Sequence, residues 1–384
     1  MVYTEALEVL VCPRRVDARP CHGALHIERL LTHDDEDPRD ILEAILRCER
    51  CQARYPVVGG IPILHYDTPK YLRNNYYFLV GSCQALGCLS EAMQTELMNQ
   101  VLLDLKSVQE ELFPPQRKYT REGVLDFLTQ VGPYLCNHYD DLASIVGLHD
   151  PLYGFLQQYP AKNPHAVLEN FAARHSNGRG GLALDIGCHV GGFLARQAQR
   201  CRFAYGIDIS FETLLLASQI LKGRPRGLTR YRLYREGKRY EWRRLHAPRC
   251  QNVEFVVACG SSLPFKAATF DIVSSCNVVD IVAKPLDLLD EKLRVLKTAG
   301  LFLTSDPYQF YGVGMKRLKT HSRKSPLAII KDRIAREAEI VQEDDYVPWI
   351  THNYTRHYMI YHNHCMAAIK RHRTFRKDGR SVPI

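Results

Sequence analysis

One segment constrains the fold of this 384-residue chain more than any other: Leu182-Ala183-Leu184-Asp185-Ile186-Gly187-Cys188-His189-Val190-Gly191-Gly192. An apolar run that ends in an acidic residue and a glycine-studded turn predicts a buried strand feeding a sharp bend. Ala204-Tyr205-Gly206-Ile207-Asp208 repeats the pattern, with a second strand that ends in a carboxylate. Two adjacent parallel strands delivering carboxylates to the same sheet edge make a nucleoside-binding crevice, because open α/β sheets bind ligands beyond the carboxyl ends of their strands. Gly187 and Gly191 let the backbone turn and approach a ligand closely.

Asp208 is expected to accept hydrogen bonds from both ribose hydroxyls. A dinucleotide would need the phosphate-cradling G-x-G-x-x-G turn, which is absent here, and Asp185 would repel a pyrophosphate. A cationic nucleoside without phosphates fits better, and S-adenosylmethionine is one. Asp185 is then expected to help anchor its ammonium group.

At these residues the chain resembles the class I S-adenosylmethionine-dependent methyltransferases. Gly260-Ser261-Ser262-Leu263-Pro264-Phe265 is similar to that family's loop after the third strand. Phe270-Asp271-Ile272-Val273-Ser274-Ser275 is similar to its fourth strand, and Leu293 through Leu303 to the following helix-turn-strand. The resemblance covers roughly 175 to 370. It implies an α/β, Rossmann-like seven-stranded sheet, here preceded by a helical segment and a small zinc-ribbon domain. It further implies a cofactor site built from Asp185, Gly187, Cys188, Gly191, Asp208, Ile209, Gly260, Ser261 and Cys276. Two positions depart from the pattern. His189 stands where the family has glycine, and Cys259 where it often has an acidic residue that binds the adenine amino group. Backbone amides near Gly260 and Ser261 are the expected substitute.

The amino-terminal part carries a different signal. Cys48 and Cys51 have the knuckle spacing that lets two thiolates reach one tetrahedral zinc, and Cys12 and Cys21 supply a second, wider pair whose loop must bulge outward. Tyr55-Pro56-Val57-Val58-Gly59-Gly60-Ile61-Pro62-Ile63-Leu64 follows as strand, turn and strand. Over roughly 5 to 66 this module resembles the small zinc-ribbon proteins that activate transfer-RNA, ribosomal-RNA and release-factor methyltransferases. A closed four-thiolate zinc site offers no open position, so its expected role is structural rather than catalytic. The resemblance also implies that the ribbon covers an apolar edge of the catalytic core. The expected organisation is a ribbon over 1–67, a helical linker or lid over 68–175, a methyltransferase domain over 176–372 and a basic tail over 373–384.

Composition sets the remaining bounds. Hydrophobic residues make up 46%, enough for a sizeable core. The start lacks the basic and apolar regions of a secretory signal, and no apolar run reaches spanning length, so no membrane partner is expected. Thirteen scattered cysteines without such a signal suggest reduced thiols and a cytoplasmic setting. The net charge of +9 equals that of 222–249 alone, which holds eleven Lys/Arg and two Glu. This basic segment interleaves Tyr231, Tyr234, Tyr240 and Trp242, a pattern suited to nucleic acid. Its alternation also predicts a solvated hairpin around Glu236-Gly237.

Between the ribbon and the crevice, apolar residues at helical spacing predict helices from Ser90 through Glu111 with a stop at Pro114-Pro115, and at 121–131, 140–147 and 164–174. Asn137-His138-Tyr139-Asp140 is a candidate pocket wall, with Tyr139 as a substrate contact. A narrower resemblance joins the Gly-Cys-x-Val-Gly turn, the Arg230-to-Leu233 and Glu236-Gly237 hairpin, and Ser305-Asp306-Pro307-Tyr308. Together they are similar to the mercaptohistidine-methylating domain of ovothiol synthases, implying an amino-acid-like or imidazole acceptor and contacts from Asp306 or Tyr308. His352, His357, His362 and His364 lack a second compact ligand pair and are read as packed or surface residues. The leading expectation is a methyltransferase acting on a small molecule. The alternatives are an RNA or protein substrate read by the basic insertion, and a non-catalytic donor-binding scaffold. The Asn-Pro-Pro-Tyr motif of amino-methylating enzymes is missing at Ser275-Cys276-Asn277-Val278, and no catalytic triad or oligomeric state is legible.

Overall fold

Seven strands build the large sheet of the computed structural model: β1 (Leu182–Ile186), β2 (Phe203–Asp208), β3 (Val253–Val257), β4 (Phe270–Cys276), β5 (Leu296–Asp306), β6 (Ala338–Tyr354) and β7 (His357–Lys370). The structure describes residues 2–17, 19–35, 37–105, 121–161, 163–176, 181–237, 239–310, 312–319, 324–375 and 381–383. The strand order is β3-β2-β1-β4-β5-β7-β6. The first five strands are parallel, and β7 runs antiparallel to both its neighbours. The order reverses between β1 and β4, which places a ligand crevice at the carboxyl ends of the central strands.

Both faces of this sheet are covered, so its central strands read as nearly unbroken apolar runs. Successive residues enter opposite cores: Ala183, Phe255 and Leu301 pack on one side, Leu184, Val256 and Phe302 on the other. The first core takes helices Pro164–His175, Gly192–Ala198 and Phe211–Leu221; the second takes Pro285–Val295 and Pro326–Ala335.

The amino-terminal module is a small antiparallel sheet. Leu25–His33, Asp40–Cys48, Arg54–Val58 and Ile61–Pro62 pair in sequence, and Val2–Tyr3 joins the second of these. Gly59 and Gly60 both adopt positive φ and close the tight turn. The module lies against the open edge of the large sheet. Ile63 makes a parallel bridge to Val257, and the Leu64 amide donates to the Val257 carbonyl at 2.9 Å. Leu10 bridges Phe265, with the Val11 amide donating to the Pro264 carbonyl at 2.9 Å. An unpaired edge strand is a liability, and this contact covers the Val257 end of β3. Ala6, Leu46 and Val57 share a core with Tyr205, Val256 and Phe265.

The intervening helices are Thr68–Leu86, Glu91–Leu105, Arg121–Tyr139, Leu142–Val146 and Pro151–Leu156. The helix expected through Glu111, and its Pro114-Pro115 stop, extend beyond the described residues. The helix expected to end at 131 continues to Tyr139 through Pro133. Pro133 removes one backbone bond, but Leu135 and Cys136 are fully buried, so tertiary packing outweighs that loss.

The basic segment does form a hairpin, Arg230–Tyr234 with Tyr240–Arg244. It is not a solvated arm, however. Tyr231 and Leu233 are buried, the Tyr231 hydroxyl donates to Asp140 at 2.6 Å, and Arg243 donates to the Ser144 carbonyl at 2.6 Å. Alternation had placed apolar and polar residues on opposite faces; what it could not supply was the helix that covers the apolar one. Among the described residues, no helix is long and apolar enough to cross a membrane.

Candidate functional site

Asp185 is the penultimate residue of β1 and Asp208 the last of β2, and both line one cavity of about 830 Å³. The turn between them is built for close approach. Gly187 has φ +70°, and a Cβ there would lie 2.4 Å from a Val278 methyl. The Gly187 and Cys188 amides donate to the Ile207 carbonyl at 2.8 and 3.0 Å, tying the turn to β2. One Asp208 oxygen accepts from the His189 amide at 3.1 Å, the other from the Ser210 amide at 2.9 Å. A carboxylate has about four acceptor sites, so acceptor capacity remains for a ligand's hydroxyls.

Asp185 is 3% exposed. Across the strand pair the Ser274 hydroxyl donates to it at 2.7 Å, and Gln197 donates to that hydroxyl at 2.9 Å. Burial nevertheless pushes its carboxyl up to about 7; the Ser274 bond and the Lys292 ammonium oppose the rise without cancelling it. Lys292 is itself wholly buried. Its Nζ donates to Ser275 Oγ at 2.7 Å and to the Leu303 carbonyl at 2.9 Å, and lies 4.0 Å from the centre of the Phe302 ring. Burial lowers it to about 7. A cation entering the cavity would favour ionised Asp185, so the donor set fits a positively charged ligand.

Of the nine residues expected to bind a cofactor, Asp185, Gly187, Cys188, Asp208, Ile209, Gly260, Ser261 and Cys276 all line the cavity. Gly191 does not. It caps the helix Gly192–Ala198 with φ +83° and packs toward Leu221 and Ala217. Cys259 and His189, the two departures, line the cavity without closing it. His189 adopts φ +49°, so the turn takes the left-handed form even with a side chain present.

The three expected substrate contacts lie outside the cavity. Tyr139 is partly buried against the core and donates to the Val190 carbonyl at 2.7 Å. Asp306 accepts from the Val279 and Tyr308 amides at 2.8 and 2.9 Å, holding together the loops after β4 and β5. Burial and the neighbouring Asp280 push its carboxyl up to about 8. Tyr308 is partly buried, with its hydroxyl shielded from solvent. From that loop it is Pro307 and Gln309 that reach the cavity.

Several lining residues carried no recognisable signal in the sequence. Tyr134 comes from the helix Arg121–Tyr139, one turn before His138, which the expected pocket wall Asn137-His138-Tyr139-Asp140 did include. His165 comes from the helix Pro164–His175. Trp349 and Thr351 come from β6, and Met359 and Tyr361 from β7. Trp349 pairs with Tyr361 and Thr351 with Met359, so four alternating residues share one face. Arg15 and Tyr66 reach the cavity from the amino-terminal region. The four late histidines do not gather. The His352 ring bonds the Ile145 carbonyl, His362 the Tyr159 hydroxyl, and His364 lies 3.0 Å from Glu343.

The structure gathers Cys12, Cys21, Cys48 and Cys51, with all four sulfurs within 4.8 Å of one another. Two of the separations are 3.5 Å (Cys12–Cys51) and 3.7 Å (Cys21–Cys48). A tetrahedron with zinc–sulfur bonds of about 2.3 Å has sulfurs about 3.8 Å apart, so the cluster fits zinc. The bulged loop between Cys12 and Cys21 touches the large domain. Ser262 Oγ donates to the Pro13 carbonyl at 3.1 Å, and Arg15 reaches the Ser261 carbonyl at 3.5 Å.

Comparison with known proteins identifies a methyltransferase domain over residues 184–304. No curated protein matches the chain. Among solved structures, the YcgJ protein of Bacillus subtilis is 18% identical, covering 54% of this chain and 100% of its own, with a TM-score of 0.37. The [4+2]-cyclase SpnF is 18% identical over 53% of this chain and 80% of its own, with a TM-score of 0.36. A chain from the complex of the Haloferax volcanii Trm112 methyltransferase activator is 15% identical over 56% of this chain and 92% of its own, at 0.36. These likenesses are too distant to bear on activity. It is residues 184–304 that match a methyltransferase-domain family.

Proposed function

We propose that this protein binds S-adenosylmethionine in the strand-end cavity and transfers its methyl group to a small-molecule acceptor. One observation carries the reading: Asp185 and Asp208, at the ends of neighbouring parallel strands, line one cavity with a glycine turn between them. Asp208 would hold the ribose, Asp185 the ammonium side, and the loop Cys259–Ser262 the adenine. That donor supplies a methyl on a sulfonium sulfur: the acceptor's lone pair forms the new bond to carbon, the sulfur–carbon pair returns to sulfur, and any proton on the acceptor leaves. The protein's own task is to hold the acceptor in line and keep water out.

The four-cysteine cluster would hold zinc as a structural ion, fastening the loop that carries Pro13 and Arg15 to the adenine side. The likeness of residues 5–66 to activator ribbons supports this docking role, now made intramolecular. An amino-acid-like or imidazole acceptor accords with the likeness to ovothiol synthases. A nucleic-acid acceptor is the second reading. The observation that favours it is Trp242, 52% exposed on the basic hairpin, with the guanidinium of Arg230 5.0 Å from its ring.

The test is calorimetric titration with S-adenosylmethionine and with its demethylated product, followed by mass spectrometry of cell extracts incubated with isotopically labelled donor. Binding of both nucleosides and appearance of a labelled small molecule are expected. A correctly folded protein that binds neither would overturn the proposal, and label confined to RNA would favour the second reading.

A further inference from the structure

At about 830 Å³ the cavity lies toward the upper end of the range for small-ligand sites, about 300–1,000 Å³. Its outer wall comes from elements that do not belong to the donor turn. Tyr134 and His138 project from the helix Arg121–Tyr139, His165 from Pro164–His175, and Trp349 and Tyr361 from the paired strands β6 and β7. His189 joins them from the turn.

These rings meet mostly edge to face. His138 and His165 have centroids 4.9 Å apart at 81°, His138 and Trp349 5.6 Å at 82°, and His165 and Trp349 5.0 Å at 68°. His189 lies 4.5 Å from Tyr134. Surfaces of this kind favour another flat ring through the same quadrupole interactions that set their own angles.

Charge is distributed unevenly. Among the described residues lining the cavity, the only Lys and Arg are Arg15 and Lys284. Both belong to the adenine side: Arg15 lies 3.9 Å and Lys284 3.7 Å from Asp287. The aromatic wall therefore offers no cation to a phosphate or carboxylate. Its imidazoles are neutral, because burial drives His138 well below its ordinary value and His165 to about 3, and lowers His189.

The hydrogen-bonding pattern is more specific. The Gly192 amide donates to His138 Nδ1 at 3.2 Å, so a neutral His138 carries its proton on Nε2 and acts there as a donor. A Cβ at residue 192 would lie 2.6 Å from the His138 Cβ, so glycine is required for this contact. Among the described residues, the Nδ1 atoms of His165 and His189 have no hydrogen-bond partner, leaving each ring able to take either tautomer. The wall thus pairs one fixed donor with two imidazoles whose tautomers no hydrogen bond at Nδ1 fixes.

We propose that Tyr134, His138, His165, His189, Trp349 and Tyr361 form the methyl-acceptor subsite, and that it takes a flat, uncharged aromatic ring bearing a nitrogen or oxygen. This rests on the donor assignment above and adds the acceptor's chemical class.

The chain's two tryptophans provide the test. Trp242 lies on the exposed hairpin and Trp349 in the subsite, so Trp242→Phe leaves Trp349 as the only indole. Its emission is titrated with phenol, imidazole and 3-hydroxypyridine, and with butylamine and acetate as ring-free controls. Each titration is run with saturating S-adenosylhomocysteine and again without it. A saturable response to at least one ring, none to the controls, and a tenfold or greater loss of affinity in Trp242→Phe/His165→Ala are expected. In the protein with both tryptophans, the same ring should raise the melting temperature, and Trp349→Leu should abolish that rise. A merely collisional response to every ring, or equal binding of butylamine, would overturn the subsite. Saturable ring binding by a protein with no affinity for S-adenosylhomocysteine would leave the subsite standing and remove the donor assignment instead.

Discussion

Donor binding should depend on pH through Asp185, and the size of the effect follows from its burial. Its carboxyl sits at about 7 in the ligand-free protein, against 3.8 in an ordinary aspartate. A raised acid pKa means that the folded protein holds a proton that the unfolded chain has released. This group's contribution to stability therefore falls as pH rises from about 4 to about 7. A cationic donor reverses the preference, because its charge favours the carboxylate. If the bound state is ionised throughout, the association constant scales with the ionised fraction of the free state. Between pH 6 and 7 that fraction grows roughly fivefold, and between pH 6 and 8 about tenfold. The gain is trimmed near pH 8, where an amino acid's α-amino group itself begins to lose its proton. Calorimetry in two buffers of different ionisation enthalpy reads the linked proton directly, and about half a proton per donor should be released at pH 7. Asp185→Asn should bind weakly, with a flatter pH profile and less proton release. Affinity that is flat from pH 6 to 8, with no proton released, would refute the assignment.

Other outcomes follow from single contacts. Asp208→Ala removes a charged partner of two donor hydroxyls, each worth about 1.5–3 kcal/mol, so donor affinity should fall at least 100-fold while the circular-dichroism spectrum is retained; unchanged calorimetric affinity would exclude the ribose role. Cys48→Ser should abolish stoichiometric zinc in elemental analysis and lower the melting temperature, and an unaltered melting curve would count against a structural ion. Lys222 and Glu254 form a 3.0 Å ion pair with both side chains buried, so Lys222→Met alone should cost about 3–5 kcal/mol in urea unfolding, and much of that should return in Lys222→Met/Glu254→Gln. Gly192→Ala should destabilise by about 1–3 kcal/mol through its clash with His138, and His138→Ala should relieve it; additive losses in the double variant would reject that coupling.

Much of this protein is local in origin and was legible as sequence. β1 and β2 announce themselves by apolar runs that end in Asp185 and Asp208, because a buried parallel strand needs apolar residues on both faces and a ligand needs groups only at its end. The Cys48–Cys51 spacing and the hairpin alternation are likewise written within a few residues of each other. The acceptor wall is not. Tyr134, His165, Trp349 and Tyr361 lie far apart in the chain and converge only because the helices fold over β6 and β7, and nothing in their immediate neighbours marks them. Tyr139 and Asp306 fail for the same reason: chemistry-bearing side chains near a crevice can face either way, and rotation about a helix or strand end turned His138 inward and Tyr139 into the core. Sequence decides what a segment can become through short-range sterics and periodicity. Which side chains share a cavity is decided by packing between segments, where burial of the whole surface outweighs the preference of any single residue.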